Sequence, residues 1–150
     1  MERPIMRAPL RFLPIICLAT VGIIARADSA EPGKPWQRPG STVLKVVLCD
    51  NVDSAGQPRH AGQKFTVAQR AVVLVVDANP KGDRLTYDVL WSREGKTVLQ
   101  KSWQMDCPLR RIFTFSSHTA AHLPIGSYQV EVRESGLAVW RIPFVITAVE

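Results

Sequence analysis

Two histidines, His118 and His122, stand four residues apart in HTAAH. On a helical turn that spacing puts both imidazoles on one face, which is half of a zinc site. The other half is missing from the motif. No glutamate follows the first histidine as in H-E-x-x-H, and the remaining histidine, His60, lies in a distant turn-rich stretch. The plainer reading is two polar residues in a loop between strands. Nucleophilic chemistry is no better supplied: there is no G-x-S-x-G, and Ser116-Ser117 beside His118 offer sequence adjacency, not triad geometry. Carboxylates for an acid–base pair would come from Asp77, Asp83, Asp88, Asp106, Glu94, Glu131 and Glu134, most of them at strand ends or on solvent-facing positions. The nine glycines are scattered singly, so no loop is built to cradle phosphate. These residues predict no catalytic centre, no metal ligands and no cofactor. A small secreted hydrolase or metal-dependent enzyme centred on the loop with His118 and His122 stands as the alternative.

The elements around these residues read as strands. TVLKVVLCD (42–50), AVVLVVD (71–77), RLTYDVLWS (84–92), TVLQKSWQM (97–105), RRIFTFSS (110–117), SYQVEVR (127–133) and LAVWRIPFVIT (137–147) are β-branched or alternating runs bounded by Gly, Pro, Asn or Asp. None has a sustained helical period. Pro143 takes the parity opposite to Trp140, Ile142 and Phe144 (with Pro143 suiting an edge strand or a bulge). About seven short strands in about 110 residues predict an all-β domain, 42–150, with two antiparallel sheets packed face to face. A barrel is the architectural alternative. NVDSAGQPRHAGQ (51–63) is rich in turn formers, and residues 28–41, DSAEPGKPWQRPGS, read as a flexible Pro/Gly-rich arm carrying one stray aromatic, Trp36.

The N-terminus supplies an address. Arg3, Arg7 and Arg11 precede a 13-residue apolar run from Phe12 to Ile24, followed by Ala25-Arg26-Ala27. A basic region, a short apolar core and an A-x-A site predict a signal peptide over 1–27. The run falls short of the roughly 18–20 residues that span a bilayer. A cut after Ala30 and an uncleaved anchor are the other readings, and Cys17 lacks the small residues before it that a lipobox has. Removing 1–27 leaves 15 Lys+Arg against 12 Asp+Glu, net +3 instead of +6. With no basic run longer than Arg110-Arg111, nucleic acid is not expected as a partner. A periplasmic or secreted location also puts Cys49 and Cys107 where a disulfide persists, and their pairing is expected. Closing that loop would contribute about 4 kcal/mol in the chain-entropy model.

One stretch carries a resemblance. Leu123-Pro124-x-Gly126-x-Tyr128-x-Val130-x-Val132, a short turn, and a last strand ending Phe144-Val145-Ile146 resemble the C-terminal hairpin of bacterial Ig-like domains. With the Trp91-x-x-x-Gly95-Lys96-x-Val98 hairpin, residues 42–148 are similar to small exported envelope domains of unknown function. The resemblance implies an Ig-like sandwich and leaves activity open. It departs from antibody domains in where its cysteines lie. The expected function is a non-enzymatic module that binds another envelope or extracellular protein; a periplasmic chaperone or inhibitor shares the same fold. Trp91, Trp103 and Trp140 are candidate anchors if exposed. Residues 71–77 are apolar on both faces, which calls for a partner, an assembly contact, the arm, or a covering loop.

Overall fold

The structure, a computed structural model, describes residues 32–117 and 122–149. The signal-peptide expectation and His118 lie outside the described residues. Eleven strands are present among them: β1 (Trp36–Gln37), β2 (Val43–Cys49), β3 (Asn51–Val52), β4 (Pro58–Arg59), β5 (Lys64–Thr66), β6 (Ala71–Ala78), β7 (Leu85–Arg93), β8 (Lys96–Met105), β9 (Leu109–Ser116), β10 (Gly126–Glu134) and β11 (Leu137–Thr147). The seven runs read as strands from their periodicity are the seven long ones.

Those seven divide between two sheets. One has the order β2-β6-β9; the other has β1-β11-β10-β7-β8, with β5 added in parallel to β11. The first, second and fifth long strands therefore oppose the third, fourth, sixth and seventh. Every pairing but β5–β11 is antiparallel. This is the strand order of an immunoglobulin-like sandwich.

Alternation decides which residues fill it. On β6, Val72, Leu74 and Val76 face the core, and on β10 Tyr128, Val130 and Val132 meet them from the other sheet. Trp91, on β7, is fully buried and stacks on Phe115 at 4.8 Å, with Phe144 edge-on at 6.0 Å. The place that a disulfide between the sheets holds in antibody domains is aliphatic here, with Val130 on β10 facing the valines and leucine of β6. Tyr128, early in β10, donates its hydroxyl to the Pro124 carbonyl four residues upstream at 2.6 Å. That is the tyrosine corner of the fold, and it ties the incoming loop to the strand.

Both tight hairpins use two-residue turns with positive φ at each position, 48° and 78° at Glu94-Gly95 and 49° and 83° at Ser135-Gly136. Turns of this hand match the twist of the strands they join. Pro143 is explained by the β11 edge. Val145 donates its amide outward to Gln63, so residue 143, of the same parity, directs its nitrogen to that same edge. There it falls between β1, which pairs with 140–141, and β5, which pairs with 145–147. No ladder bond is lost.

Two expectations are corrected. From Gly33 onward the expected arm is not a free tether: β1 is bonded to β11, and Gln63 holds the Gly33 carbonyl at 2.9 Å. The Cys49–Cys107 bridge is not formed either; both thiols are free, Cys49 buried and Cys107 exposed. The register explains why. Cys49 is opposite Val73 on β6, whereas Cys107 precedes Leu109, which is opposite Ala78 on the other side of β6. Five residues of strand separate the two levels, about 16 Å at the usual rise, well beyond the span of a disulfide.

Candidate binding surface

Five of the seven carboxylates that might have supplied acid–base chemistry are held in structural roles. Asp77 receives Arg110 in a two-point pair, 2.6 and 2.8 Å, and the Arg110 hydrogen bond holds its carboxyl below the usual range. Glu134 accepts three bonds on one oxygen, from Ser41 Oγ at 3.0 Å and from the Thr42 amide and hydroxyl, both at 2.9 Å. It fixes the start of β2. Asp88 accepts from Ser102 across the β7–β8 pair, and Glu94 accepts the Ser127 amide at 3.0 Å. Glu131 lies on the outer face of the larger sheet, 9% exposed, clamped by Arg133 at 2.6 Å and Arg141 at 2.7 Å. Burial pushes its carboxyl up, but the two guanidinium bonds outweigh burial and the net shift is downward. Asp83 and Asp106 are exposed between strands.

The two described histidines have separate partners. His60 is exposed, with Nδ1 3.1 Å from Asp50, and His122 turns Nδ1 toward the adjacent Leu123 carbonyl at 3.3 Å. Among the described residues no three His, Cys, Asp or Glu side chains converge as a metal site. The hollows lie open at the sandwich ends. One of about 420 Å³ is lined by Ser92, Glu94, Gly95, Ser127, Tyr128 and Gln129, with the Glu94 carboxylate already bonded to Ser127. This hollow is open to water rather than enclosed.

The tryptophans sort differently. Trp91 is inside, and Trp103 and Trp140 are half-buried against the core, the latter bonded through Nε1 to the Val43 carbonyl at 3.2 Å. Trp36, in the docked arm, is the exposed one at 42%, under the Arg141 guanidinium at 5.3 Å. The outer face of β6 is covered by the chain itself. The β3–β4 hairpin folds over it, so that Val73, Val75 and Cys49 are buried with Val52 against them. Of the covers the sequence allowed, the loop is the one that forms, and the arm lies on β11 instead.

Among the described residues β2 is an edge with Leu44 61% exposed, and a second open side lies where β8 and β9 run. β8 is bonded to β7 alone, β9 to β6 alone, and the turn 106–108 joins them across the two sheets. Val98 at 50%, Leu109 at 42% and Ile112 at 42% are exposed there. Sequence reading placed both strands correctly and had no means of seeing that they are edges.

No family model and no curated protein matches the chain. Among solved structures it is similar to the C-terminal domain of wzt, at 14% identity and a TM-score of 0.40, over 83% of this chain and 81% of that one. It is also similar to an immunoglobulin-like protein from Pseudomonas aeruginosa, at 8% identity and a TM-score of 0.43, over 76% of this chain and 97% of that one. The domain is an immunoglobulin-like β-sandwich. Its own strand order, its buried Trp91 and its tyrosine corner carry that assignment. Likenesses this distant bring no ligand or partner with them.

Proposed function

We propose that this immunoglobulin-like domain is a non-enzymatic, protein-binding or structural module of the cell envelope, working in the periplasm or outside the cell. The observation that carries the reading is the open side: among the described residues two long edge strands, one from each sheet, present Val98 and Leu109 to solvent with no further strand paired to them. An uncovered edge is a ready template for pairing with another chain, and Lys96 and Lys101 on β8 limit which chains can pair there. The chain covers the outer face of β6 with a hairpin and the β11 edge with β1 and β5. Export is supported by the three N-terminal arginines, the apolar run Phe12–Ile24 and the Ala25-Arg26-Ala27 site.

Fractionation of the source cells with N-terminal sequencing tests the location, the expected mature start being Asp28 or Glu31. Affinity capture from the envelope fraction tests the role. A specific protein partner supports the module. A chain that captures no protein at any salt concentration, but is stabilised by a small molecule, returns the reading to an enzyme or a small-ligand carrier.

A further inference from the structure

The open side has a chemistry of its own. Residues opposite one another in an antiparallel pair share a face. Lys101 is opposite Val89, and Arg111 is opposite Val76; both valines point into the core. Two cations therefore occupy inward positions on the two edge strands, yet both stay exposed, because the sheets part there. Between them Trp103 and Phe113 meet across the gap, their rings 4.9 Å apart. From 96 to 105 and from 109 to 116 the two strands hold Lys96, Lys101, Arg110 and Arg111 and no carboxylate. Arg110 is paired with Asp77; Lys96, Lys101 and Arg111 have no ion-pair partner among the described residues. The edge of β8 adds a row of backbone donors and acceptors along ten residues.

We propose, resting on the protein-binding reading, that β8 takes up an extended segment of a partner protein as an added strand, and that the segment is acidic at its centre with aliphatic residues on either side. The inward row on β8 is Leu99, Lys101, Trp103. An added strand sets its own inward row opposite these, two residues apart. The complementary pattern is aliphatic, any, acidic, any, aliphatic, and it is the same read in either direction. The central carboxylate meets Lys101, and the aliphatic residues cover Leu99 and the Trp103–Phe113 pair, with Arg111 adding positive charge beyond that pair. Backbone bonds supply affinity and the side-chain row supplies selection. A second copy is a poor occupant, since two β8 edges paired about Lys101 set like charges opposite one another.

The test uses the protein purified after expression with its own leader, and the fluorescent peptide Thr-Val-Thr-Glu-Thr-Val-Thr read by anisotropy. A peptide with alternate amides N-methylated and one with Lys in place of Glu are the controls. Binding is expected for the first peptide alone, with slowed amide exchange confined to β8. Lys101→Glu, a change at an exposed side chain, should weaken it by roughly tenfold and restore binding to the Lys peptide. Equal binding of the N-methylated peptide overturns strand addition. So does slowed exchange on another strand, or a dimer that protects β8. A partner captured from the envelope that binds Lys101→Glu as well as the natural chain sinks this inference and leaves the module standing; a chain that captures nothing sinks both.

Discussion

At the scale of single residues, the chain uses its charged groups to fix backbone and neighbouring charges. Glu131 shows how strongly. Its carboxylate is nearly buried on the sheet surface and gains two guanidinium bonds, so its folded-state pKa lies below the unfolded one. The stabilisation is present above the unfolded carboxylate value, about 4.3, and is lost as pH falls through the lowered folded value. Glu131→Gln should therefore cost roughly 1–3 kcal/mol at neutral pH, and the gap to the natural protein should close on acidification. Urea unfolding from pH 7 to pH 3 measures it, and a gap that widens toward acid contradicts the clamp. The two thiols give a second expectation. Burial pushes the Cys49 thiol up, and its Sγ lies 3.6 Å from the Val73 carbonyl. Cys107 is exposed. Alkylation of the folded domain should mark Cys107 and leave Cys49 until denaturant is added, and reductant should not move Tm. Two protected thiols that appear only on reduction would restore the bridge.

At the scale of elements, what was legible followed from periodicity. Alternation or a β-branched run marked all seven long strands; β6 alone among them read as apolar on both faces. Periodicity failed for β1 and for the β3–β4 pair, where two residues per strand leave no period to read and Pro and Gly argue for a loop. It also said nothing of strand order, so the edges β8 and β9, and with them the candidate surface, stayed hidden although Lys101 and Val98 were in plain sight. The cysteine pairing failed for the same reason: parity and export were readable, distance along β6 was not. The loop-to-strand junction at β10 was visible as Pro124, Gly126 and Tyr128 without its purpose. Gly126 has φ 155°, and a Cβ there would stand 2.8 Å from the Glu94 carboxylate that accepts the next amide. Tyr128 closes the corner from the other side. Tyr128→Phe leaves the ring in place against Phe144 but orphans the Pro124 carbonyl, a loss of about 1–2 kcal/mol. Amide exchange across 122–128 should quicken with it, and a variant of unchanged stability would mean the corner is ornamental.

At the scale of the whole molecule, the unusual feature is a central strand, β6, buried on its outer face as well as its inner one. β6 buries Val73 and Val75 outside the sandwich as fully as Leu74 and Val76 within it, under a hairpin bonded by only two residue pairs. Such a hairpin is marginal on its own, so its anchors matter. Asp53 accepts the Ala55 and Gln57 amides, both at 2.9 Å, and Arg59 at 2.8 Å, which orders the turn. Arg110, while paired with Asp77, also donates to the Gly56 carbonyl at 3.1 Å and so pins the tip to β9. Arg110→Ala should loosen this cover without opening the sandwich, since the residues it ties lie outside the main core. Replacing 51–59 by a short Gly-Ser turn should uncover the face altogether. The sandwich is then expected to fold, because its two sheets keep every long-strand pairing, but to self-associate with rising concentration through the exposed valines, and Cys49 should become reactive toward alkylating reagents in the native state. Sedimentation velocity and thiol labelling read the two effects independently. A variant that stays monomeric with Cys49 protected would show that something other than the hairpin shields β6.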